Sequence, residues 1–213
     1  MAFHFSSFAN VTTIRLRQPA SVYDTTFTVA PNTLFTKYVS HLLDSLESKP
    51  ADSVINRGFE VSSDFPIVAV YDFQSTGNNP ETYSLKGQNG MGYEFVTPFQ
   101  TLWDNKYLGP GRIQPYQFFS VVATENNTTI HITPRCDVVG GHPANVTYSV
   151  FLPNAGQVYT CQNITQITSA LGSSLAGSVI TSNKKISVTV NDDSVNPSGG
   201  GGCYDLLGDQ IVP

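Results

Sequence analysis

Through its second half the chain alternates apolar and polar residues with a period of two. In TTIHITP (128–134), Ile130 and Ile132 point one way and Thr129, His131 and Thr133 the other. That is the pattern of a strand with one buried face. FFSVVATE (118–125) precedes it across Asn126-Asn127. Asn tolerates the positive φ of a tight turn, so the pair predicts a β-hairpin. VTYSVFLP (146–153), QVYTC (157–161), GSVITS (177–182) and KISVTVND (185–192) continue as strands, separated by Pro-Asn, Asn-Ala-Gly and Asn-Lys breaks. One stretch departs from this period. TKYVSHLLDSLESK (36–49) places Val39, Leu42, Leu43 and Leu46 at helical spacing, which predicts a strand to about Val39 and then a short helix near 40–48.

The strands are written twice. RGFEVSSDFPIVAVYD (57–72) and GSVITSNKKISVTVND (177–192) share a glycine, a β-type run, a Ser or Thr pair, a polar turn and a second β-type run. FHFSSFANVTTIRLRQP (3–19) parallels FSVVATENNTTIHITPR (119–135), and TTFTVAPN (25–32) parallels YSVFLPN (148–154). The spacing between partners stays between 116 and 122 residues and their order is kept, as in an internal repeat. The expected fold is therefore all-β, with two repeated antiparallel β-sandwich-like modules, residues 1–115 and 116–213. Ile67, Ala69 and Tyr71, and Ile186, Val188 and Val190, are the expected core faces. The second module stops at Gln210-Ile211-Val212-Pro213 before any counterpart of Met91–Val96, so the chain is expected to be cut from a longer array. Its opening, MAFHFSSFANVTT, has neither the basic leader nor the apolar stretch of a signal peptide.

Composition narrows the function. Charged residues make up 13%, about half the usual share of roughly 25%, leaving a surface of hydroxyls and amides. A net charge of -5 with scattered basic residues excludes a phosphate-binding surface, so nucleic acid is not an expected partner. No apolar run is long enough for a membrane-spanning helix, and no membrane insertion is expected within this chain.

Candidate chemistry is sparse. Cys136, Cys161 and Cys203 form no CxxC pair, so no zinc site is expected. Cys136 and Cys161 fall at strand ends in one region and read either as a disulfide or as buried free thiols. His4, His41, His131 and His142 lack metal-ligand spacing. Asp192, Asp193, Asp205 and Asp209 flank the SGGGG run (198–202) without the spacing of a Ca²⁺ loop, and no cofactor is implied. Serines lack a GxSxG context. Asp72, Glu81, Glu94 and Asp104 are the only carboxylates that would serve a glycosidase if they converged. The aromatics between residues 74 and 117, above all Trp103 and Tyr107 with Tyr93, read as a binding surface, because Trp and Tyr anchor interfaces and stack on sugars. The competing reading, favoured for a lone Trp, is core between the modules. Asn10, Asn126, Asn127, Asn145 and Asn163 lie in N-x-[ST] sequons and would be glycosylation candidates in a eukaryotic secreted protein.

The ordered phrases FSVVATENNTTIHITP, VFLPNAGQVYTC, LAGSVITSNKKISVTVND and CYDLLGDQIVP, with GMGYEFVTPF (90–99) upstream, resemble the IgGFc-binding protein N-terminal domain family. Two departures stand out. Lys185 replaces the family's proline, which Pro66 keeps, and Tyr204 separates Cys203 from Asp205. The resemblance implies a non-catalytic, extracellular or cell-surface adhesion module, whose partner is a protein or glycoprotein such as immunoglobulin Fc or mucin, or a glycan. A structural spacer of a surface protein and a β-sandwich carbohydrate-active enzyme are the alternatives.

Overall fold

The computed structural model describes residues 1–40, 46–73, 81–99, 116–164, 174–195 and 205–213. Among these the chain is built of strands and one 3-10 turn, Gly87–Gly90. The helix expected near 40–48 falls mostly on residues outside the described set.

The first half forms two antiparallel sheets. One runs β4 (Leu34–Tyr38), β1 (Ala2–Ser7), β7 (Ile67–Phe73), β8 (Glu81–Ser84). The other runs β3 (Asp24–Val29), β2 (Thr12–Arg17), β6 (Glu60–Ser63). They enclose one core, where Phe3, Phe5 and Ala69 of the first sheet meet Ile14, Leu16 and Val29 of the second. Aromatic rings fill it, with Phe3 against Phe59 and Tyr71, and Phe5 against Phe27. Ala69 is buried as expected, while Ile67 and Tyr71 pack against the core half-buried.

The second half repeats this pairing order. β13 (Val158–Gln162), β10 (Gln117–Ala123), β14 (Val179–Val195) and β15 (Asp205–Gln210) lie side by side as β4, β1, β7 and β8 do. β12 (Tyr148–Leu152), β11 (Thr128–Thr133) and the start of β14 correspond to β3, β2 and β6. The registers match too. Phe3 opposes Tyr71 and Phe119 opposes Val190; Ile14 opposes Ser63 and Ile130 opposes Ser182. One difference has a covalent cause. Pro66 has no N–H for a ladder and holds β6 and β7 apart as two strands. Lys185 stands at the matching place, and β14 runs through it as one 17-residue strand. That joins both sheets of this half into one eight-stranded sheet. Ile186, Val188 and Val190 are buried on it as expected.

One expectation needs correction. β10 and β11 do not form a hairpin, because β14 lies between them. A hairpin would set Phe119 and Val121 beside Ile130 and Ile132 in one sheet. The turn at Thr124–Asn127 instead carries the chain across the core, so these apolar faces share one interior. Asn127 does adopt φ 58°. Hydrogen bonding also crosses the division at 115/116. β5 (Val54–Ile55) pairs with β13, and β9 (Met91–Val96) pairs with β14.

Further bonds tie the halves. Gly58 N donates to Gly156 O at 2.9 Å, Gln157 Nε2 to Asn56 Oδ1 at 3.0 Å, and Tyr83 Oη to Asn191 Oδ1 at 2.5 Å. Gly156 has φ 81°, and a Cβ there would lie 2.8 Å from Pro19 Cδ. Gly156→Ala is expected to destabilise the fold by about 1–3 kcal/mol through left-handed strain and this clash. A urea titration would show a lower midpoint at unchanged slope.

Candidate functional site

An exposed side-chain array lies on the outward face of β12, β11, β14 and β9. Antiparallel register sets it in rows. Ser149, His131, Thr181 and Glu94 form one row across four strands. Thr133, Val179 and Val96 form the next, extended by Thr147, whose Oγ1 lies 2.8 Å from Thr133 Oγ1. Phe151 and Thr129 begin a third. Phe151 is 54% exposed and Val96 57%. His131 Nδ1 lies 2.7 Å from Ser149 Oγ, which fixes the ring against the sheet. Four strands at about 4.8 Å spacing make this face about 14 Å wide.

The same outward face in the first half is chemically different. Arg15 there pairs with Asp24, its Nε donating at 2.8 Å, and Arg17 pairs with Glu60 at 2.9 Å. These hydrogen bonds raise the Arg15 pKa and lower that of Asp24. Its charges answer one another, whereas the second face presents hydroxyls, an imidazole, a carboxylate and apolar side chains.

Tyr93 is exposed on β9, one residue before Glu94. It sits where the register with β14 jumps from Thr181–Glu94 to Ile186–Gly92. Trp103 and Tyr107 lie outside the described residues. Of the carboxylates weighed for glycosidase chemistry, Asp104 lies outside the described residues, and Asp72 and Glu94 stand in different sheets. Asp72 accepts from Ala2 N at 3.1 Å and lies 3.1 Å from His4 Nε2, whereas Glu94 stands on the outward face of the second sheet. Asp192 accepts from Gln117 Nε2 and Asp209 from Lys86 Nζ. Asn10, Asn126, Asn127 and Asn145 are exposed. Asn163 is a correction: it is fully buried and its Oδ1 accepts from Gln117 N, which leaves no room for a glycan.

Sequence reasoning missed a polar clasp between distant segments. Asp52 Oδ1 accepts from Tyr159 Oη at 2.6 Å and lies 3.0 Å from His142 Nε2. The His142 ring stacks on Tyr148 at 3.7 Å, and Tyr148 Oη lies 3.2 Å from Tyr159 Oη. Gly140, at φ 91°, makes room for the carboxylate, since a Cβ there would lie 2.0 Å from Asp52 Oδ2. The GG dipeptide before His142 was the only trace of this site in the sequence.

Cys161 abuts this clasp through Tyr148, and both Cys161 and Cys136 are buried free thiols in the second core. Burial pushes each thiol up to about 12. A thiolate is the nucleophilic form, so this Asp–His pair has no nucleophile in Cys161 at neutral pH. The clasp therefore fastens the segment before β5 to β13. Groups of three or more metal-ligating side chains do not occur among the described residues.

In a Cys203→Ser chain, a disulfide-exchange reagent at about pH 8 should label neither remaining thiol until denaturant is added, and then both. A denatured chain that labels only after reduction would mean that the two are bonded. The raised thiols favour the folded state fully below their ordinary value of 9.0, and that support is lost as pH climbs through about 12. The urea midpoint should accordingly fall between about pH 8 and about pH 10.5.

No curated protein and no solved structure matches the chain. The family described as IgGFc binding protein matches residues 81–213, from the start of β8 to the last residue. That span holds β9 through β15, with both the exposed four-strand face and the three aromatic clasp residues. With more than half its length matched, the chain belongs to the IgGFc-binding protein family.

Proposed function

We propose that this chain is a non-catalytic extracellular binding module, and that its ligand is a protein or glycoprotein surface, immunoglobulin Fc being the first to test. The observation that carries the reading is the outward face of β12, β11, β14 and β9. There Phe151 and Val96 stand exposed around the Ser149, His131, Thr181, Glu94 row. Such a face suits association. It is held by main-chain pairing, so little backbone order is lost on binding. Apolar side chains are interleaved with short hydroxyls, whose desolvation costs less than that of charges. Tyr93, Trp103 and Tyr107 belong to the same proposal as anchors. The family's printed name supports the Fc ligand, and family membership supports an extracellular setting.

The test is binding of immobilised Fc to the chain and to four variants. Phe151→Ser and Val96→Ser should each weaken binding by about tenfold, the size expected for an apolar contact at the centre of an interface. Trp103→Ala should weaken it similarly, and Arg15→Ala on the first face should leave it unchanged. Thermal melts check that each variant folds. Fc binding unaffected by Phe151→Ser and Val96→Ser overturns the assignment of the face. Absence of Fc binding removes that ligand and passes the question to a glycan array. Silence there would favour a spacer role.

A further inference from the structure

The two halves differ at one sheet edge. In the second half, β14 from Val179 to Thr181 pairs with β11 on one side and with β9 on the other. β6 is the matching strand of the first half: it pairs with β2, and no described strand lies on its other edge. The side chains record the difference. Ile180 of β14 is fully buried, with Phe95 of β9 opposite it and itself 1% exposed. Val61, which the shared register places at the position of Ile180, packs against the first core but stays half-buried. Ser62 and Ser63 are exposed. A strand edge with no described partner and a half-covered apolar side chain is a template for strand addition.

We propose that the outer edge of β6 accepts an added strand with the residue pattern of β9, supplied by another copy of this module. The register of β9 on β14 sets the arrangement. Ser62 would face the Glu94 position of the incoming strand, Val61 the Phe95 position and Glu60 the Val96 position. The aromatic side chain would then close over Val61 as Phe95 closes over Ile180. The far end of the slot is fixed as well. In the second half Gly177 N donates to Thr97 O at 2.8 Å, just beyond β9. In the first half the corresponding Gly58 N already donates to Gly156 O. The incoming strand therefore ends at its Val96 position. The outward side of β6 imposes chemistry too. Glu60 is held by Arg17, and Arg15, paired with Asp24, stands opposite Ser62, so the Glu94 position of the incoming strand lies beside charges that are already matched. This site is distinct from the proposed Fc-binding face, and either can fail without the other.

The probe is a peptide of residues 89–96, NGMGYEFV, added to the full chain. Saturable binding with slowed amide exchange at residues 60–63 is expected. The same peptide with Ser at its Phe95 position should bind at least about tenfold more weakly, because a buried aromatic contact is removed. An N-methylated peptide, stripped of its ladder donors, should not bind. No saturable binding overturns the proposal. So does protection confined to β4, to β12 or to the outer edge of β9. Faster exchange along β14 would mean that the peptide displaces the resident β9, which overturns it as well.

Discussion

The second half depends on one strand paired along both edges. β14 bonds to β11 and β10 on one side and to β9 and β15 on the other. Because it runs unbroken through Lys185, it carries the chain from one layer of the core to the other within a single strand. Its alternate side chains, Ile180, Ile186, Val188 and Val190, are then the common floor on which Phe95, Phe119, Val121, Ile130 and Ile132 pack. Without β14 the four flanking strands would have unpaired edges, and the outward face that presents His131, Thr181 and Glu94 would lose its register.

Among the described residues the halves are joined by polar contacts, and their buried clusters are separate. The segment after residue 46 leaves the first half, sets Asp52 against Tyr159 and His142, adds β5 to the edge of β13, and returns through Gly58 to β6. A second seam runs from Tyr83 to Asn191 and from Lys86 to Gln210 and Asp209. Each seam uses hydrogen bonds that must be complete to hold, because a buried donor or acceptor left alone costs about 1–3 kcal/mol. Such junctions set orientation closely while adding little to the bulk stability of either core.

Much of this architecture was legible as alternation. The stretch from Met91 to Val96 is a strand over those residues, and Thr128–Thr133 buries Ile130 and Ile132 as its period requires. What alternation does not carry is the choice of neighbour. FFSVVATENNTTIHITP reads equally well as a hairpin or as an arch between layers, and only burial of both apolar faces decides for the arch. Likewise the joining of β5 and β9 to the sheet of the following half is a long-range matter. For the site, the polar face of His131 was readable. The row from Ser149 to Glu94 needed the register of four strands. The clasp at Asp52 joins residues about ninety to a hundred positions apart, and no local pattern announces it.

Pro66 and Lys185 give the two halves different mechanics. In the first half the chain bends between its layers at a proline, and the three-stranded layer ends there. That layer can loosen by itself, as a local opening well below the energy of global unfolding. In the second half the bend lies inside one strand, and β9 pairs with that strand on both sides of it, so the two layers share a partner. The second half should open as one cooperative unit, and the first as two. A strand paired across the turn thus sets whether a sandwich behaves as a rigid body or as two plates on a hinge.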